Sequence, residues 1–296
     1  MTTPPEIAAR RTASRVPAPA YFGISAIFHY LGPAFAVLLF ARVDVLGVAW
    51  LRIACAAVIF AVWRRPWRQF RRLAPEQRRV LLGLGVVLAA MNATFYLAIA
   101  RLPLATVGAI EFLGTIVLAA IGVRNRRNVI ALVLAVSGVV ALVDIRLAGE
   151  PLGFIFAFVN CAFFMLYVVL GHRIANTGGG LAGIDQLGAA MLIAAAVATP
   201  FCLGAAVPAF TSPAALLAGV GVAICSSVIP YVTDQLAMAR LRRDTFALML
   251  SILPAVATVI GIVVLTQVPT IQELLGIALI AGGVLVHQEI PESKEN

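Results

Sequence analysis

The chain reads as an all-α membrane protein of ten transmembrane helices, built as two five-helix repeats of inverted topology. Three observations predict this. First, 62% of the 296 residues are hydrophobic, only 12% are charged, and mean hydropathy is +1.01. A soluble domain carries about 45–50% apolar and about 25% charged residues, so the excess apolar surface must face lipid. Second, the apolar residues fall into runs of about 20, the length that crosses a hydrocarbon core as a helix. Third, the arginines gather between those runs, on alternate sides.

The spans are expected at 20–41, 45–63, 80–100, 104–123, 128–144, 152–171, 184–204, 214–234, 245–266 and 270–288. Arg10, Arg11 and Arg15 precede the first run, as in a signal peptide. The run is long enough to span and ends without a tidy small-residue cleavage site, so it is read as an uncleaved helix. Proline punctuates the short connections, as in Arg101-Leu102-Pro103 and Val268-Pro269-Thr270, because it ends one helix and starts the next. Strands are not expected: an open sheet edge cannot be satisfied in hydrocarbon, and no barrel-like alternation is present.

Orientation follows from the basic residues. With the N-terminus inside, inside segments hold eighteen of them, seven between Arg64 and Arg79. Outside loops hold three: Arg42, Arg101 and Arg146. This asymmetry places both termini in the cytoplasm and favours an even number of spans. It also explains the net charge of +9 without nucleic acid. Anionic lipid is a weaker alternative partner for the 64–79 segment.

An internal match adds the repeat. Shifted by 139 residues, Tyr96–Gly122 and Gln235–Gly261 share nine identities in 27 positions, among them Arg101 with Arg240 and Thr106 with Thr245. The match relates spans three and four to spans eight and nine. A shift of five spans is odd, so the halves 20–144 and 145–288 insert in opposite directions, between a cytoplasmic segment 1–19 and a tail 289–296. Inverted repeats of this kind mark secondary transporters, whose site lies near the midplane between the halves.

Specific residues carry a resemblance. They are Met91-Asn92 with Phe95-Tyr96-Leu97, the turn Leu102-Pro103-Leu104, Ile110-Glu111-Phe112 and Gly114. The second half adds Pro230-Tyr231, Leu241, Thr245-Phe246 and Pro254. Over most of 20–288 the chain resembles the drug/metabolite transporter superfamily, its EamA-type exporters, and most of all the bacterial threonine/homoserine exporters. The resemblance implies efflux of small amino acids or related metabolites across a bacterial inner membrane, driven by ion exchange. Four positions depart from the pattern. Thr115 replaces a proline, Leu253 and Gln267 replace acidic residues, and Asp234 stands where a glutamate is expected. They leave open another solute, such as a drug, a nucleoside or a larger amino acid.

Ionisable groups inside spans are costly and therefore candidate functional groups. Glu111 and Arg52 are each the eighth residue of an expected helix, and those helices run the same way, so the two lie at similar depth. One reading has them pair and fix packing. The other has them face a cavity and hold a zwitterion, Glu111 at its ammonium and Arg52 at its carboxylate. An unpaired Glu111 would exchange protons for substrate. His29 is a proton relay or a packing histidine. Asn92 lines the cavity or bonds across helices. Asn160 and Tyr167, seven apart on one helix face, are cavity groups or interhelical contacts. Asp234 reads as an interfacial ion-pair partner of nearby arginines, and Tyr231 as an interfacial aromatic.

Enzyme signatures are missing. Gly178-Gly179-Gly180 lacks the strand and lysine of a phosphate loop. The four cysteines (Cys55, Cys161, Cys202 and Cys225) lie within apolar runs without metal-ligand spacing. Ser226-Ser227 has no base near in sequence. No metal, cofactor or nucleotide domain is expected. The partners implied are a small solute, protons and the bilayer. Ten helices enclose a site without a second subunit, so a monomer is favoured. A membrane scaffold or an intramembrane enzyme is the rival from another class.

Overall fold

The computed structural model describes residues 18–122, 126–146, 150–175, 180–238 and 253–286, all of them helix or short connection. The expectations for the two termini, for 245–252 and for Arg240, Arg242 and Arg243 lie outside the described residues, as does the side chain of Asp234.

Ten helices follow among the described residues. They are α1 (Ala18–Leu39), α2 (Val45–Arg64), α3 (Pro75–Ile99), α4 (Leu104–Gly122) and α5 (Arg126–Arg146). Then come α6 (Pro151–Ala175), α7 (Gly180–Phe210), α8 (residues 213–238), α9 (Leu253–Leu265) and α10 (Ile271–Val286). A six-residue helix, Trp67–Arg72, bridges α2 and α3. Among the described residues six helices are long and apolar enough to cross a membrane: α1, α2, α3, α6, α7 and α8. α9 and α10 are shorter apolar helices as described.

Local chemistry sets the helix starts. Asp44 accepts from the backbone N–H of Leu46 and opens α2. Ser212 accepts from Ala215 N–H, with Pro213 at the first position of α8. Thr270 and Glu273 form a reciprocal capping box at α10, with Thr270 N–H to Glu273 Oε2 at 2.8 Å. The α9 exit turns through Thr266 at φ 53°, and Gln267 N–H returns to Gly261 O. α7 runs beyond the expected 184–204 at both ends, and Pro208 lies inside the C-terminal extension rather than ending the helix. Neighbouring helices re-satisfy the backbone that such prolines free.

Most of the pairings of helices repeat when every label is advanced by five. α3 packs on α6 as α8 packs on α1, α4 on α6 as α9 on α1, and α2 on α8 as α7 on α3. The contacts α2–α7, α4–α9 and α5–α10 map onto themselves. Tight crossings use small residues, as expected where lipid supplies no hydrophobic drive between helices. A β-carbon on Gly138 of α5 would lie 2.5 Å from the Gly276 carbonyl of α10, and one on Gly283 would lie 2.8 Å from the Ala131 carbonyl.

Two large apolar clusters and a smaller third lie among the described residues. One gathers Tyr30, Leu51, Phe95, Ile110 and Phe154, another gathers Ile53, Phe60, Leu88, Ile184 and Met191, and the small one joins Ala105 and Ala109 to Ile277 and Ile280. Three helices cross from the first cluster to the second at a polar residue. α2 does so at Arg52, between Leu51 and Ile53, and α3 at Asn92, between Met91 and Phe95. α8 does so at Ser226 and Ser227, between Val222 and Tyr231, while Asn160 of α6 lies between Ala157 and Cys161 of the first cluster. The candidate site lies at this seam and just on the first cluster's side of it.

Candidate functional site

Arg52 is the eighth residue of α2 and only 6% exposed. Its guanidinium is held on three sides. Nε donates to Ser227 Oγ at 3.0 Å, Nη2 donates to the Ser226 carbonyl at 2.9 Å, and the Tyr96 ring lies 5.5 Å away. The Ser226 carbonyl is available for a sequence reason. In an α-helix it would accept from residue 230, which is Pro230 and has no N–H. α8 responds with a π-helical turn at Ile224–Val228, a local widening that proline and insertions into the hydrogen-bond ladder produce. The Pro230 carbonyl in turn accepts from Ser25 Oγ of α1 at 3.4 Å. Gly32 makes room for the wide turn: a β-carbon there would lie 2.7 Å from Ser226 Cα.

Glu111, the eighth residue of α4, is 4% exposed. Its Oε1 accepts from Asn160 Nδ2 at 3.3 Å. Its Oε2 has no hydrogen-bond partner among the described residues, nor do Asn160 Oδ1 and Tyr30 Oη. Tyr30 lies against α4 because Gly108, one turn before Glu111, has no side chain; a β-carbon there would be 2.9 Å from the phenol oxygen. Arg52 and Glu111 sense each other electrostatically but form no ion pair within 4.0 Å. The site therefore holds a guanidinium and a carboxylate that are separately anchored, each with hydrogen-bonding capacity to spare.

The remaining expected residues divide. His29 lies next to the pair, edge-on to Tyr30 with ring centroids 5.2 Å apart and within electrostatic range of Arg52. Four residues on, Pro33 offers no N–H to the His29 carbonyl. Asn92 is buried, but its amide nitrogen donates to Leu88 O of its own helix at 2.8 Å. Tyr167 packs against the second apolar cluster and stacks on Phe164, two turns away from Asn160. Asn160 and Tyr167 thus share a helix face but not a site. Sequence reasoning missed Ser226, Ser227, Tyr30 and Tyr96. The signal for Ser226 was present as a proline four residues later; the tyrosines carried no polar signature.

A hollow of about 300 Å³ lies away from these residues, at the 101–103 and 266–270 turns. Its polar lining comprises Arg101, Thr106, Thr258, Gln267 and Glu273.

A buried guanidinium and carboxylate stand apart inside an all-helical bundle, and the comparisons place that bundle among membrane transporters. The chain is 33% identical over 277 residues to the threonine/homoserine exporter RhtA of Salmonella typhimurium (strain SL1344), covering 89% of this chain and 90% of that protein. It is 33% identical over 258 residues to the threonine/homoserine exporter RhtA of Escherichia coli (strain K12), covering 84% and 83%. The chain belongs to their family, the EamA-type exporters of the drug/metabolite transporter superfamily. These relatives are named exporters, not enzymes. No family model matches the chain. A crystal structure of a protein described without a function shares the fold, at a TM-score of 0.57 and 21% identity, over 90% of this chain and 94% of that one.

Proposed function

We propose that the chain exports small amino acids or related metabolites of the threonine/homoserine kind, by alternating access and in exchange for protons. The observation that carries this reading is Glu111, a buried membrane carboxylate with one oxygen held by Asn160 and the other without a hydrogen-bond partner among the described residues. Such a group must bind a cation, a proton or a substrate ammonium, to offset the cost of its burial. Arg52 offers the complementary group for a substrate carboxylate, because three sides of the guanidinium are fixed while further N–H donors remain. A substrate ammonium and a proton would compete for Glu111, which couples the two fluxes. The pairing pattern that repeats after five helices supports two inverted halves, 20–144 and 145–288, rocking about the seam. The arginine asymmetry supports ten spans with both termini in the cytoplasm of a bacterial inner-membrane protein. One chain supplies every group of this site, so the working unit is a monomer.

The test is Glu111→Gln in proteoliposomes, following labelled threonine and homoserine with and without a pH gradient. The wild type is expected to exchange both and to speed up with the gradient, and the variant to lose that response. Equal responses in both proteins would make Glu111 structural. A wild type that moves neither amino acid would refute the substrate. One observation favours a different solute as the second reading: Leu253, at an expected acidic position, is buried among apolar side chains. A screen of drugs, nucleosides and larger amino acids in the same vesicles decides between them.

A further inference from the structure

The hollow at the 101–103 and 266–270 turns is remote in composition from the seam; none of the groups around Arg52 and Glu111 lines it. Its walls come from five helices and two turns. Gln267 pins the two turns together: its Oε1 accepts from Leu104 N–H, the first residue of α4, at 3.2 Å. Its amide nitrogen carries two further donors. Glu273, 3% exposed, is oriented by the α10 capping box through Oε2. Arg101 is oriented by Nη1 donating to Leu97 O at 2.8 Å and by the Phe156 ring 5.2 Å away, which leaves other guanidinium N–H groups for a ligand. Thr106 and Thr258 add hydroxyls on the α4 and α9 sides, and Val37 and Ile277 add apolar wall.

A hollow of about 300 Å³ is at the small end for ligand sites. It suits a solute of amino-acid size rather than a drug. It also offers both charges, a guanidinium on the α3–α4 turn and a carboxylate on α10, with an amide and hydroxyls between. We propose that this hollow is a second solute-binding site, which takes a small zwitterionic amino acid with its ammonium toward Glu273 and its carboxylate toward Arg101. In the proposed orientation it opens to the outside, so the exported solute occupies it on release. The identity of the solute rests on the exporter reading above; the existence of the site does not.

The test is Glu273→Gln, measured as exchange of labelled threonine from each side of oriented proteoliposomes. Glutamine also closes a capping box, so the α10 start is retained while the charge is lost. The half-saturating concentration from the outside is expected to rise about tenfold, the loss of one charge-assisted contact, with the inside value unchanged. An unchanged outside value, with transport intact, overturns the second site and leaves the exporter reading standing. Should Glu273→Gln fail to fold, Thr106→Val removes a cavity hydroxyl without changing shape. It is expected to raise the outside value about threefold, the scale of one interhelical-type polar contact, and no rise overturns the site. In a wild type that transports no amino acid, saturable threonine binding in detergent that Glu273→Gln weakens would keep this site and refute the exporter reading. No binding would refute both.

Discussion

The α1–α8 and α5–α10 crossings use the same device to different ends. Both bring backbones close through glycine, at Gly32 against Ser226 in one and at Gly138 and Gly283 in the other. Around α5–α10 the groups brought together are small and apolar, with Ala131, Ala135 and Ile280 fully buried. The result is a fixed strut. At α1–α8 the close approach accommodates a π-helical turn, a proline and a free carbonyl, and that carbonyl anchors Arg52. Small residues alone therefore do not make a polar crossing. Close approach plus an interrupted backbone does, because an interrupted helix exposes polar groups that something must satisfy.

The comparison can be broken most forcefully with side chains that do not fit. Gly138→Leu and Gly32→Leu should each lower thermal stability in detergent, with overpacking costing about 1–3 kcal/mol or more. At Gly138, lost transport should track lost folded protein. At Gly32, the correctly folded fraction should also transport poorly, since the Ser226 turn is displaced. Equal specific activities per folded molecule would erase the distinction.

A finer probe is Arg52→Lys. A compact ammonium cannot reproduce the planar fork on Ser227 Oγ and the Ser226 carbonyl, or the contact with the Tyr96 ring. Transport should fall more than about tenfold with little change in melting temperature; a parallel loss of both would make Arg52 a packing residue. Ser227→Ala removes one of those contacts and should cost about 0.6–1.7 kcal/mol, the range for interhelical hydrogen bonds in membranes. The smallest effect is expected at the α2–α7 crossing. There Arg64 Nε meets Asp185 Oδ1 at 2.6 Å, with about a fifth of each side chain exposed. Asp185→Asn should cost less than about 1 kcal/mol and leave transport unchanged. A large transport defect there would relocate the moving parts to the α2–α7 pair.

The sequence by itself determined the helices. Hydrophobic run length located α2 and α4 at their observed starts, Val45 and Leu104, because spanning length and proline or aspartate caps are local properties. It missed the length of α7, which continues past the expected end at 204 with Pro208 inside the helix, where local rules would end it. It singled out Arg52, Glu111 and Asn160, because buried polarity in a membrane span is conspicuous against apolar neighbours.

Only the tertiary structure decided how those groups relate. Depth along two helices left pairing open between Arg52 and Glu111. Helix rotation and the intervening packing of α1 leave them without an ion pair, one tied to the α8 turn and the other to Asn160. The same packing brought Tyr30 and Tyr96 beside these groups, and set Tyr167 in the second apolar cluster, two turns from Asn160. The physical reason is one of range. Hydropathy, capping and proline geometry act within a turn or two of chain, whereas the hydrogen bonds that hold Arg52 and Glu111 join residues 49 to 175 apart in sequence.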